Sequence, residues 1–320
     1  MSASAKDRRV EAEAGGIDPA RISIVIPAYA TCPHLPALLD ALEGATVHPR
    51  EIIVSHSGPD DPTAALGVSH PGVRVLHATE RLLGGGARNR GVAAASGDWL
   101  GFIDADVRPA PDWLARIAAA ANEGRFVVGA IGTASSGGYW GMCNWLSEFS
   151  EQAPWHRARR QQGGASANML VSAADFLAAG GFPEDHQPGE DTILFGRVAA
   201  AGREQWFAPE ACVFHHNNSG FRAFLRHQYR LGWNSALLRQ RIDTTGSIAT
   251  RIWPLALGFW AIRFARVAWR GLTGGPPWWA RTALYAPGLA IGALTWNIGF
   301  LRRLWQTQPE QRPQTAGLRK

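Results

Sequence analysis

The sequence predicts an α/β fold: a mostly parallel sheet flanked by helices, continued by a C-terminal helical region that associates with a membrane. Three observations lead there. Apolar strand-like runs alternate with segments of helical period through the first half of the chain. One of those runs, Trp99 to Ile103, opens directly onto the carboxylates of Asp104 and Asp106. Beyond Phe221 the alternation stops, and long patterns rich in Trp and Arg take over.

The elements follow in order. Residues 21–27 (Arg-Ile-Ser-Ile-Val-Ile-Pro) read as a first strand stopped by proline. Leu35, Leu38, Leu39 and Leu42 recur at helical spacing and end before Gly44. Residues 51–54 and 73–76 supply the second and third strands, 91–96 belong to a helix, and 99–103 form the fourth strand. Val127-Val128 and residues 168–171 read as further strands. Between them, 130–165 turn from Gly and Ser to Tyr139, Trp140, Trp145, Phe149 and Trp155, then to Arg157, Arg159 and Arg160. That composition suits either an acceptor-binding insertion or an amphipathic helix packed on the core. Arg222, Arg226 and Arg230 share one helical face, with Phe224, Leu225 and Tyr229 elsewhere. Arg263, Arg266 and Arg270 share another, opposite Trp, Phe and Leu, the pattern of a helix in a membrane interface. Residues 282–300 carry no charge and lie between Arg281 and Arg302-Arg303. They are long enough to cross a bilayer, though interrupted by Pro287 and several glycines.

Composition bounds the function. Charged residues make up 18% and apolar ones 46% of the 320, which excludes global disorder. Cys32, Cys143 and Cys212 lie far apart without metal-ligand spacing, which fits a reducing compartment. The first 20 residues are polar, so no signal peptide is expected. Residues 246–320 hold ten Lys/Arg against one Glu, a charge of +9, so the preceding 245 carry −3 of the chain's net +6. A basic, Trp-rich tail on a slightly acidic body points to an anionic membrane surface as partner, and not to nucleic acid.

Asp104 and Asp106, two apart on an extended chain, face one side together. Two hard oxygen donors at a strand end suit Mg²⁺ or Mn²⁺ held with substrate phosphates, although Asp is also common in plain turns. His215 or His216, after a later strand, offers a neutral imidazole as a further metal ligand or stands as an ordinary surface histidine. Gly84-Gly85-Gly86 before Arg88-Asn89-Arg90 lets backbone approach a ligand and brings guanidinium groups near phosphate or base. Its spacing is not that of a dinucleotide fingerprint, and these arginines also suit a solvated helix face.

The order of these pieces resembles glycosyltransferase family 2, whose members have the GT-A fold. The matching segments are Ser23-Ile24-Val25-Ile26-Pro27-Ala28-Tyr29, Gly85-Gly86-Ala87-Arg88-Asn89-Arg90-Gly91 and Phe102-Ile103-Asp104-Ala105-Asp106. Gly180-Gly181-Phe182-Pro183, Gly189-Glu190-Asp191 and Val213-Phe214-His215-His216 follow. The resemblance covers about residues 21–240. It implies that Pro27, Tyr29, His56, Arg88, Asp104 and Arg230 contact a nucleotide-diphosphate sugar, and that Asp106, with Asp104 and His215 or His216, ligates the metal. It also implies that Asp191, with Glu190 beside it raising its pKa, is the base, unless these acids merely open a helix. Arg230 belongs to a partial match, Gln228-Tyr229-Arg230-Leu231-Gly232-Trp233, with membrane-bound polysaccharide synthases of the family. One departure stands out: where the family places a base-contacting Asp, this chain has Val54-Ser55-His56-Ser57, with Asp60 and Asp61 suited to capping a turn.

The expected layout is a disordered lead-in over 1–20, a GT-A domain over 21–240, a membrane-associated helical region over 241–305 and a polar tail over 306–320. The expected activity is metal-dependent, inverting transfer of a sugar to a lipid-linked or cell-envelope glycan acceptor. The expected location is the cytoplasmic face of the membrane, held peripherally or by one inserted segment. The alternative is a catalytically weak or inactive membrane-bound nucleotide-sugar binding protein. A nucleotidyltransferase is disfavoured, because Pro27-Ala28-Tyr29-Ala30 stands where its Gly-rich phosphate loop belongs.

Overall fold

The computed structural model describes residues 16–306, apart from 123, 186–187, 218–219 and 243–245. The expected lead-in over 1–15 and tail over 307–320 lie outside the described residues. Residues 16–20, read as lead-in, are part of the fold: Ile17 is buried, and its amide donates to the Ala118 carbonyl at 2.9 Å. The chain forms two compact units. One holds the described residues of 1–134, 152–185 and 190–216, the other those of 135–151, 186–189 and 217–320.

The first unit is built on a nine-stranded sheet. Its strands are β1 Ile22–Tyr29, β2 Glu51–Ser57, β3 Val73–Ala78, β4 Trp99–Ile103, β5 Val107–Pro109, β6 Arg125–Ser135, β7 Arg159–Arg160, β8 Asn168–Ser172 and β9 Glu204–His216. Its helices are α1 Leu35–Glu43, α2 Thr63–Ser69, α3 Gly84–Ala93, α4 Trp113–Ala120, then, after α5 of the other unit (Gly138–Phe149), α6 Ala173–Ala178 and α7 Glu190–Ala200. The order is β3-β2-β1-β4-β8-β6-β9-β5, with β7 on β9. The parallel character read from the sequence belongs to β3-β2-β1-β4, whereas β8 runs antiparallel to β4 and to β6, and β9 antiparallel to β5 and β7. Strands buried on both faces need continuous apolar runs, which is why β1 and β4 read so plainly.

Two features position the site. Phe102, Phe176 and Phe182 form a triangle of rings with centroids 5.3 to 5.5 Å apart, packing the segment after α6 onto β4. Asn168, fully buried on β8 opposite Ile103, donates through Nδ2 to the carbonyls of Ala130 and Ala211, both at 2.8 Å, and accepts from Trp113 Nε1 at 2.8 Å. This amide bridges β6, β9 and α4 beside the strand that ends in Asp104. Asn168→Ala strands one buried donor and two acceptors, so thermal melting is expected to show a loss of about 3 kcal/mol or more.

The second unit contains α5, α8 Phe221–Arg241, α9 Ile248–Arg251, α10 Phe259–Leu272 and α11 Pro276–Gln306. Helix α8, read from the sequence as the end of the α/β region, packs with these helices. The glycines read as weakening a membrane span are its packing contacts. Gly232 lies against the Trp296 carbonyl, Gly299 against that of Tyr229, and Gly292 against the Phe224 ring. Pro287 is accommodated by Tyr139 of α5. Its hydroxyl donates to the Leu284 carbonyl at 3.3 Å and accepts from the Gly288 amide at 3.1 Å, standing where one rung of the helix ladder would be. Among the described residues, α11 is the one helix long and apolar enough to cross a membrane.

Candidate active site

β4 ends at Ile103, and the chain turns through Asp104 and Asp106 into β5. The two carboxylates have different surroundings. Arg88, on α3 and almost fully buried, donates through Nη2 to Asp104 Oδ1 at 2.6 Å and through Nη1 to Glu190 Oε1 at 3.1 Å. Its guanidinium lies 5.3 Å from the centre of the Phe182 ring. Burial opposes the charge of Arg88, but Asp104, Glu190 and Asp191 more than offset that and raise its pKa. Asp104 is pushed above its ordinary value by burial, with Arg88 pulling it down and Asp106 pushing it up. Arg88 is thus committed to two carboxylates of its own chain. The structure makes Arg88 the tie between the strand end at Asp104 and the first turn of α7.

Asp106 faces histidines instead. Val107 pairs with His215 across β5 and β9, the His216 amide donates to the Asp106 carbonyl at 2.9 Å, and His215 Nε2 lies 3.5 Å from Asp106 Oδ2. Burial raises the Asp106 carboxyl, but the hydrogen bond and charge of His215, helped by His34, hold it below the usual carboxylate range. His216 stacks on His34, ring centroids 3.9 Å apart and ring planes nearly parallel. Its pKa is lowered by burial and by the neighbouring His34. Of the four residues read as metal ligands, Asp106 and His215 form a carboxylate–imidazole pair that fits a divalent ion. Asp104 is engaged by Arg88 and His216 by His34. A separate group, Asp40, Glu43 and His70, also gathers potential ligands. There the two carboxylates face opposite ring nitrogens of His70, at 3.9 and 3.1 Å, which reads as a clamp between α1 and the end of α2.

Asp191 opens α7 next to Glu190. It accepts from the Thr192 amide at 2.8 Å and the Ser166 amide at 3.4 Å. Burial, then the charge of Glu190, push its carboxyl up to about 7 against the pull of Arg88. A carboxylate poised near neutrality can take a proton at physiological pH.

At the ends of β1, β2 and β3 the residues read as donor contacts behave differently. Tyr29 is exposed, with the Arg81 guanidinium 4.6 Å from its ring centre, and Pro27 lies two residues earlier on β1. His56 is buried, and both its ring nitrogens are engaged: Nε2 with the Ala30 carbonyl at 3.0 Å, Nδ1 with Nδ1 of His77 at 3.1 Å. A carbonyl only accepts, so His56 Nε2 donates to it, and one proton lies between the two Nδ1 atoms. Both ring nitrogens of His56 are therefore engaged within the fold. Arg90 adds a 2.6 Å bond from Nη2 to the His77 carbonyl. Arg230, in the second unit, is exposed, with Nη2 3.5 Å from His227 Nδ1.

The two glycine motifs interlock. Gly84–Gly86, read as a ligand-approach loop, form the first turn of α3, and Gly85 packs on the Pro183 carbonyl with no room for a Cβ. Asn89 grips the facing segment, donating to the Phe182 carbonyl at 2.8 Å and accepting from the Phe182 amide at 3.0 Å. Gly181, with φ +67° and its α-carbon against Asn89, tolerates no side chain there. Sequence reasoning missed His34, His77, Asn89 and Asn168. Only the cluster of histidines around the strand ends offered a signal.

Comparison with known proteins bears on the family and the fold. Residues 23–173 match the family model described as Glycosyl transferase family 2. The chain is 26% identical over 230 residues to the pre-mycofactocin glycosyltransferase of Mycobacterium tuberculosis, covering 69% of this chain but 48% of that protein, about half its length. It is 24% identical over 250 residues to the glycosyltransferase AglE of Haloferax volcanii, covering 74% and 81% of the two chains. In fold it is similar to the mannosyltransferase PcManGT of Pyrobaculum calidifontis, solved with GDP-Man and Mn²⁺. That likeness has a TM-score of 0.57 at 19% identity over 92% and 91% of the chains. Residues 23–173 thus belong to glycosyltransferase family 2, within a chain that has the GT-A fold.

Proposed function

We propose that this glycosyltransferase is an inverting, metal-dependent enzyme. Its donor is a nucleotide-diphosphate sugar, and its acceptor a lipid-linked or cell-envelope glycan at the cytoplasmic face of the membrane. The observation that carries the reading is Asp191, a carboxyl held near neutrality beside the Arg88-tied pair of Asp104 and Glu190. Asp191 takes the proton of an acceptor hydroxyl. That oxygen bonds to the anomeric carbon as the bond to the diphosphate oxygen breaks, and the leaving group keeps the electron pair. A single displacement of this kind inverts the anomeric centre. Asp106 and His215 would hold Mn²⁺ or Mg²⁺, which when bound supplies positive charge toward the departing diphosphate. Arg88 holds Asp104 and Glu190 in place, and Tyr29 with Arg81 offers an open aromatic and cationic surface at the strand ends.

The test is binding and hydrolysis of UDP-, GDP- and dTDP-sugars, with and without Mn²⁺, on the wild type and Asp106→Asn. One donor should be selected in a metal-dependent way. Asp106→Asn is expected to lower turnover by about 10²-fold or more, the scale of losing one charge-stabilising group. Equal turnover by the variant refutes the metal assignment. The absence of the family's base-contacting Asp at Val54-Ser55-His56-Ser57 favours a second reading, a nucleotide-sugar binder without transfer activity. It predicts donor binding with no turnover in either protein.

A further inference from the structure

The helices α10 and α11 turn several polar side chains inward and carry large apolar side chains outward, with Arg266 of α10 also exposed. On α10, Arg263 turns toward the unit's interior, donating through Nη2 to the Ser147 carbonyl at 3.2 Å and to Gln228 Oε1 at 3.3 Å, its guanidinium 5.1 Å from the Trp296 ring centre. Arg270 pairs inward with Glu151 at 2.6 Å. The exposed positions of the same helix include Trp260, Ile262, Trp269 and Leu272, with Trp269 69% exposed. On α11 the buried face combines Leu289, Trp296 and Phe300 with Thr282, Asn297 and glycines, while Leu284, Ile291, Leu294 and Ile298 stand outward along one stripe. Of the 19 large hydrophobic residues exposed among the described residues, 16 lie in this unit, so the pattern is regional and not the ordinary scatter of a protein surface. A helix face exposed to water is ordinarily polar.

We propose that the outer face of α10 and α11 lies in one leaflet of an anionic membrane, in the plane of the interface, and that α11 does not cross it. This deepens the membrane reading above and rests on it alone, not on the transfer chemistry. The occupant is lipid because of the charge around the stripe. Arg281 precedes it, Arg302 and Arg303 follow it, and residues 246–320 carry +9, which matches acidic headgroups. The in-plane orientation follows from the neighbour of α11. Helix α8 packs beside its apolar stretch, from Phe224 at Gly292 to Trp233 at Arg303, the latter 5.5 Å from ring centre to guanidinium. Along that same stretch α8 exposes Arg222, Arg226 and Arg230. A spanning α11 would carry these three arginines to bilayer depth, each at a heavy cost. Immersing only the outward stripe leaves them in water.

The experiment is flotation of the full chain with sealed vesicles of phosphatidylcholine, with and without phosphatidylglycerol, alongside the double variant Ile262→Asp, Trp269→Asp. Wild type should float with the anionic vesicles. The variant, altered only at exposed positions, should keep its melting temperature and lose partitioning by about tenfold or more, as expected for removing two inserted apolar side chains. Arg281→Cys and Arg302→Cys, bound from outside, are then treated with a membrane-impermeant maleimide and compared with wild type. Labelling of both supports the in-plane placement, and protection of one overturns it in favour of a span. Absence of flotation, with self-association in lipid-free solution, overturns it in favour of a second copy covering the stripe. A chain that floats but turns over no donor leaves this inference standing and removes the transferase reading.

Discussion

Arg88→Met is expected to destabilise the first unit by about 3–5 kcal/mol, because it leaves the buried Glu190 and the largely enclosed Asp104 without a counter-charge. In a thermal melt this corresponds to a fall on the order of 10 °C. The geometry explains the size of the effect. Each carboxylate is bonded by a different nitrogen of one guanidinium, and the donor side chain is 6% exposed. Arg88→Lys retains the charge but presents a single ammonium in place of a fork, so it cannot reproduce both bonds and should recover only part of the loss. A melting temperature unchanged in Arg88→Met, with donor binding lost, would restore the nucleotide-contact role instead.

Asp191→Asn is expected to abolish transfer, by about 10²–10⁴-fold as for other general bases, while leaving donor binding intact. The wild-type pH profile of kcat/KM should rise with pH and level off above about 7, because Asp191 accepts a proton only once its own has left. The same carboxyl has a consequence for stability. Its folded pKa lies above its unfolded one, near 3.8, so the folded state holds the proton more tightly. The associated stability is complete below pH 3.8 and is lost as pH rises to about 7. Above that pH, Asp191→Asn should be more stable than wild type, by ~2–4 kcal/mol. A variant that is less stable at pH 8 would mean that the carboxylate of Asp191 is structurally required.

Much of this site is legible from local pattern. Asp104 and Asp106 can be located from the sequence because a continuous apolar strand ends there, and Glu190-Asp191 because acids at a helix start stand out after glycine. Which carboxylate is engaged and which is open is not legible. The partner that engages Asp104 also binds Glu190, 102 residues from it in the chain, and no local pattern reports such a distance. The glycine runs announce close approach but not what approaches. At Gly85 it is the backbone of Pro183. His56 stands at the expected position on β2, yet the parallel pairing of β2 and β3 sets it opposite His77 and consumes its ring.

The sequence by itself determined the alternation of strand and helix, the carboxylates at the strand end and the amphipathic periods of the C-terminal helices. These depend on side-chain chemistry at spacings of two to four residues. Tertiary structure alone decided which face of each period turns inward. Periodicity defines a stripe relative to the helix axis but carries no information about which side meets a neighbour. For α10 the neighbours are Ser147, Glu151 and Gln228, which draw Arg263 and Arg270 inward and leave the tryptophans outside.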